Sequence, residues 1–240
     1  MILTAGNTCY TDLNKMIKES PDTDIVLKDV LGQRYIGCGV VGKRIEVHGT
    51  PGNALGSYMN GGVVEIFGNA QDATGDTMNN GRIIIHGNCG DTTGYGMRGG
   101  IILVEGDAGY RVGIHMKEYR DLKPVIVIGG RTGDFLGEYQ AGGIIIVLGM
   151  DSQGCAPVGS FCGTGMHGGA IYLRTGQAPD DLPVQVDVSC MAGEDAGLVR
   201  KYVHEYSSLF GRDEDRIMDS RFIKLTANTK NPYRQLYTRN

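Results

Sequence analysis

Histidines, carboxylates, methionine thioethers, cysteines and the glycine-rich segment GCGVVG at 37–42 are the places where this sequence could carry chemistry. The glycine segment has the G-x-G-x-x-G spacing of a dinucleotide fingerprint. GCGVVGKR falls one residue short of a phosphate-binding loop, with Arg44 where a magnesium-binding Ser or Thr belongs. Both motifs need a helix opening at the glycines, so that its N-terminus faces phosphate. KRIEVHG follows instead and reads as a strand, which argues against nucleotide binding. His48 and His86 hold equivalent outward positions with the strand of Phe67 between them. Two strand spacings are ~9.6 Å, too far to share a zinc ion. His115, His167 and His204 complete the set and read as surface or partly covered residues.

Asp72, Asp76, Asp91 and Asp107 stand beside turn glycines, where Asx turns account for them. Calcium-binding repeats use a shorter, more acidic period. Met59, Met78, Met97 and Met116 recur at intervals of 19, and Met166 resumes the series. A row of thioethers could hold Cu(I), but filling a gap between stacked corners is the simpler role. Cys9, Cys38, Cys89, Cys155, Cys162 and Cys190 include no C-x-x-C pair and read as reduced, mostly packed thiols. No Ser/His/Asp or Cys/His constellation follows from spacing. No catalytic, cofactor-binding or metal-ligating residue is therefore assigned.

The elements that would position any site are written in a repeat. Gly49, Gly68, Gly87 and Gly106 each end a short aliphatic strand at intervals of 19, and Gly130, Gly149 and Gly176 continue at 24, 19 and 27. A second glycine follows seven residues after each of the first five: Gly56, Gly75, Gly94, Gly113 and Gly137. One coil earlier only its counterpart Gly37 survives. Two and four residues before the strand glycine stand only β-branched aliphatics, from Val47 and Ile45 to Val147 and Ile145. Side chains two apart in a strand share a face, so one face is always buried.

A 19-residue unit is too short for a β-α-β crossover of ~30 residues. The expected fold is all-β: a single-domain right-handed parallel β-helix of ~19-residue coils. Residues 1–29 form an N-terminal segment with a capping helix at 11–20, N-capped by Thr11. The coils span 30–176, and 177–240 hold an amphipathic helix over 193–211 and an extended tail at 230–240.

Outward strand positions change along the chain. Early coils present Arg44, Glu46, His48, Glu65, Arg82 and His86. Later ones present Ile101, Leu103, Val125, Val127, Ile144, Ile146 and Leu148. A bare aliphatic patch of that size is rare on a soluble monomer. The helix at 193–211 is expected to cover it, leaving the loops near 110–124 and 150–168 and the tail for partners.

Glycine supplies 39 of 240 residues without a collagen period, and the net charge is −4. With no dense Lys/Arg cluster, nucleic acid is not the expected partner. No secretory leader or membrane-length apolar run is visible, so a cytoplasmic location is expected.

The fragments LGSYMNGG (55–62), TGDTMNNG (74–81), TGYGMRGG (93–100), GTGMHGG (163–169) and VEGDAG (104–109) resemble the glycine-rich β-helix domain at the C-terminus of the glutamate synthase large subunit. The glycine-rich repeat subunit of formylmethanofuran dehydrogenase shares them. The resemblance implies a non-catalytic scaffold that holds amidotransferase and flavin/iron–sulfur synthase subunits in glutamate biosynthesis. Partners, not this chain, would then carry FMN and the iron–sulfur cluster. With Ile2 at the second position and no cysteine cluster, the chain resembles a free-standing form of that domain. A role in a formylmethanofuran dehydrogenase-type one-carbon complex is the alternative, a homo-oligomer is open, and an independent polysaccharide-acting enzyme is the weakest reading.

Overall fold

The computed structural model describes residues 1–150, 152 and 156–228. In chain order the elements are β1 (Ile2–Thr4), α1 (Tyr10–Glu19), β2 (Asp24–Leu31), β3 (Arg44–Thr50), β4 (Asn60–Phe67), β5 (Asn80–Ile85) and β6 (Ile101–Val104). There follow β7 (Val125–Ile128), β8 (Ala141–Val147), β9 (Gly168–Leu173), β10 (Val186–Cys190), α2 (Glu194–Phe210), α3 (Glu214–Met218) and β11 (Ile223–Ala227). All eleven strands form one sheet, ordered β1 to β9 and then β11 and β10. The first nine pair parallel, each with the next in sequence.

The register follows the repeat. Ile45, Val64, Ile83, Ile102, Ile126, Ile145 and Ile171 align across successive strands, as do Val47, Ile66, Ile85, Val104, Ile128, Val147 and Leu173. Every one of these side chains is fully buried in one continuous core. A longer connection between β6 and β7 absorbs the 24-residue step without a slip, since a shift of one residue would send each row to the other face. At the C-terminal end Leu173 pairs with Val147. Thr175, not Gly176, therefore occupies the place equivalent to Gly149. At the N-terminal end Val30 pairs with Gly49.

Helix α1 sends Leu13 and Ile17 into that core. Its N-cap is Cys9 rather than Thr11, and no side chain caps the helix. Thr11 lies in the first turn, with its hydroxyl 3.2 Å from the Cys9 sulfur.

The outer face of β5 to β9 is apolar and covered. Ile84, Leu103, Val127, Ile146 and Tyr172 pack in a second core with Val199, Val203 and Tyr206 of α2. Strands buried on both faces read as continuous aliphatic runs, as VIVI in β7 does. Gly211 ends α2 in the left-handed conformation, its N–H bonded to the Ser207 carbonyl. The amphipathic segment is thus the expected cover. The antiparallel strands β10 and β11 beside β9 were not expected. The expected extended tail at 230–240 lies outside the described residues.

Candidate functional site

The corner that precedes each strand from β3 to β9 has an unusual backbone. Gly37, Gly56, Gly75, Gly94, Gly113, Gly137 and Gly163 all take φ between +65° and +73°. The residues two before them (Tyr35, Ala54, Ala73, Thr92, Arg111, Phe135 and Phe161) are left-handed as well. So are those two after them: Gly39, Tyr58, Thr77, Gly96, His115, Tyr139 and Gly165. Three alternate left-handed residues turn successive peptide planes in opposite directions. The central glycine N–H donates back to the preceding coil, as Gly75 does to Leu55 O at 2.8 Å. The flanking N–H groups donate forward, as Ala73 does to Asp91 O and Thr77 to Tyr95 O. Each corner from Gly56 to Gly137 is thereby hydrogen-bonded to both neighbours, which satisfies backbone groups that would otherwise be orphaned.

The three positions differ in what surrounds them. A Cβ on the central glycine would strike the aliphatic row of the next coil: Ile102 Cδ1 stands 2.5 Å from it at Gly75, and Ile126 Cδ1 stands 2.4 Å from it at Gly94. At Gly39 nothing lies within 4 Å. Only the flanking positions can therefore carry side chains, and the large ones among them reach the surface. Tyr35, Tyr58 and Phe161 are all more than 40% exposed. Arg111 lies 4.5 Å over the Phe135 ring, which stacks on Phe161 at 5.0 Å. His115 stacks on Tyr139 at 5.1 Å.

The strand-ending glycines have other reasons to be glycine. Gly49 and Gly68 have φ of +121° and +151°, and Gly149 has +52°. Gly87, Gly106, Gly130 and Gly176 have no positive φ. At the first three of these a side-chain oxygen of the preceding coil fills the space: Asn69, Asn88 or Asp107, 2.0–2.6 Å from a would-be Cβ. Those oxygens accept from the backbone N–H of Asn88, Asp107 and Arg131. Asp72 and Asp91 form a second such row, accepting from Asp91 and Tyr110. Asp72, Asp91 and Asp107 thus bond the following coil rather than their own turns. Spacing missed this because it compared turns one at a time.

The other candidate groups are structural as well. Met59, Met78, Met97, Met116 and Met166 are fully buried, and Gln140 fills the gap in their row. Its Nε2 donates to the carbonyls of Gly142 and Gly143. Phe67 stacks between His48 and His86 at 4.9 Å from each. His86 Nε2 lies 3.1 Å from Glu65, which also pairs with Arg44 at 2.9 Å. Burial pushes the Cys89 and Cys162 thiols up to about 12, so both stay protonated. Cys9, Cys38 and Cys190 are exposed, unlike the packed thiols expected. Among the described residues no three His, Cys, Asp or Glu side chains converge to hold a metal ion. Nor is any described helix long and apolar enough to cross a membrane.

Alternate left-handed positions are the spacing of G-x-G-x-G, and a family model described as the GXGXG motif matches residues 22–228. The chain belongs to the GXGXG motif family. This GXGXG chain is 45% identical to an uncharacterized protein of Methanocaldococcus jannaschii over 251 aligned positions, covering 99% of this chain and 96% of that one. The fold also matches a chain in the X-ray crystal structure of the formyltransferase/hydrolase complex of Methylorubrum extorquens in complex with methylofuran. That match has a TM-score of 0.62 and 20% identity, and covers 84% of this chain and 72% of that one.

Proposed function

We propose that this GXGXG chain is a non-catalytic scaffold subunit, wound as a right-handed parallel β-helix, that organises the catalytic subunits of a multi-subunit enzyme. The observation that carries this reading is the corner column. Arg111, Phe135 and Phe161 hold left-handed conformations that disfavour side chains by about 1–2 kcal/mol each. Glycine would be free of that strain, yet these positions present an exposed cation and two rings. Aromatic and arginine side chains are the groups that dominate protein–protein hot spots.

Two kinds of complex fit. The fold likeness to a chain of a formyltransferase/hydrolase complex favours a formyl-transfer or one-carbon complex. This replaces the glutamate synthase assignment as the leading reading. The glutamate synthase reading keeps the support of the Met-x-x-Gly corners at Met59, Met78 and Met97, and would place FMN and iron–sulfur on partner subunits.

Affinity purification of the tagged chain from its native cells, followed by mass spectrometry, tests the proposal. Co-purifying formyltransferase and hydrolase subunits are expected. Amidotransferase and flavin synthase subunits in their place would transfer it to the second complex. A chain recovered alone, or only with copies of itself, would sink the scaffold reading.

A further inference from the structure

Beside the ends of β5 to β9, under the loop that joins α2 to α3, lies a cleft of about 460 Å³ whose wall includes Arg174, Arg212 and Arg216. The three arginines are not equivalent. Arg212 is neutralised by Glu105 at 2.9 Å. Arg174 is held by neutral acceptors only: Nε donates to Ser220 Oγ at 3.0 Å, and Nη1 donates to Leu148 O at 2.6 Å and to Met150 Sδ at 3.4 Å. Among the described residues no carboxylate lies within ion-pair distance of Arg174 or Arg216, and Nη2 of Arg174 makes no bond to them.

We propose that this cleft binds a small carboxylate-bearing molecule, with Arg174 and Arg216 as its anchors. Two guanidinium groups that face one space, with neither paired to a carboxylate among the described residues, repel each other, and an oxyanion between them removes that cost. Burial and the nearby Arg216 charge both pull the Arg174 guanidinium below its usual range, in keeping with a site short of negative charge. Three neutral acceptors fix Arg174, so little of its freedom is lost on binding. The planar fork of a guanidinium matches the two oxygens of a carboxylate.

The charge balance narrows the ligand further. Among the described residues of the wall, three arginines against Glu105 and Asp107 leave one positive charge, which a monoanionic group neutralises and a phosphate dianion overshoots. The volume falls within the range of small-molecule sites, ~300–1,000 Å³. This inference rests on the cleft alone and stands whichever complex the chain joins.

Calorimetric titration of the full-length protein at low ionic strength tests it, with acetate, propionate and inorganic phosphate as probes. Saturable binding of a carboxylate in preference to phosphate is expected. Arg216→Gln removes an exposed side chain that bonds nothing among the described residues, so the variant should fold normally and bind at least about tenfold more weakly, the scale of one charge-assisted hydrogen bond. Arg120→Gln, far along the chain in the loop before β7, should bind as the parent does. No saturable binding, equal binding by Arg216→Gln, an equal loss in Arg120→Gln, or a preference for phosphate would each overturn the proposal.

Discussion

Ile83 Cδ1 stands 2.5 Å from the point where a Cβ on Gly56 would lie. The same approach recurs between Gly75 and Ile102, Gly94 and Ile126, and Gly113 and Ile145. Each corner thus excludes a side chain twice over, by its positive φ and by its space. Comparing two alanine variants separates the causes. Gly39 has φ +65° and open surroundings, so Gly39→Ala should cost only the left-handed strain, about 1 kcal/mol. Gly75→Ala adds overpacking of about 1–3 kcal/mol. Urea denaturation of both variants should show the larger loss at Gly75. Equal losses would mean that the core gives way freely.

Ile85 lies in register between Ile66 and Val104, fully buried. Neighbours above and below are held by their own strands, so the site cannot collapse into the space left by truncation. Ile85→Ala should therefore cost about 2–5 kcal/mol, read from the shift in urea midpoint at unchanged slope.

The helix cover can be tested at Val203, which is fully buried against the outer face of the sheet. Val203→Asp places an unpaired carboxylate in that layer, and α2 should lift from β5 to β9. The bared aliphatic face should then drive self-association, visible as a concentration-dependent rise in mass by light scattering. A monomeric variant with parent stability would show that the cover is dispensable.

Strand register and the cover were legible because both are written as periodicity: a spacing of 19 with β-branched pairs, and an apolar stripe at helical spacing in 193–211. Less of the corner was legible. The central glycines stand out, but Phe135, Arg111 and Thr92 give no sign in sequence that their backbones are left-handed, because only stacking against the next coil imposes it. β11 was missed for a different reason. IKLTA is short, lacks the glycine signature and pairs antiparallel to β9 across a separation of about 50 residues. In VQVDV (184–188), which runs into β10, the period-2 alternation was present but unused.

Asp195 gives the cover a pH dependence. Its carboxylate accepts from Lys224 at 2.8 and 3.0 Å and from the Tyr172 hydroxyl at 2.6 Å. Those bonds, Lys224 first, hold the carboxyl below its ordinary value of 3.8. A depressed folded value means that the unfolded chain takes up the proton first as pH falls. The contribution is complete above the unfolded value and disappears as pH drops through the folded one. Asp195→Asn should therefore lose stability at neutral pH and flatten the slope of stability against pH below about 5. A parallel slope in the variant would assign acid sensitivity elsewhere.

Thr92 tests whether strain at the flanking corner positions is real. It is β-branched at φ +56°, a conformation such residues rarely adopt, and its hydroxyl bonds only the adjacent Asp91 carbonyl. Relief of left-handed strain is worth about 1–2 kcal/mol, while the added freedom of an unfolded glycine costs about 0.4–1 kcal/mol. The difference favours glycine, so Thr92→Gly should raise stability by about 0.5–1 kcal/mol and raise the melting temperature with it. Phe135→Gly gains the same relief but loses its stacking with Arg111 and Phe161, which aromatic pairs value at about 0.5–1.5 kcal/mol. That variant should come out near neutral in isolation. Its defect should appear instead as weaker recovery of partner subunits. A stabilised Phe135→Gly that still assembles fully would remove the corner column from the docking surface.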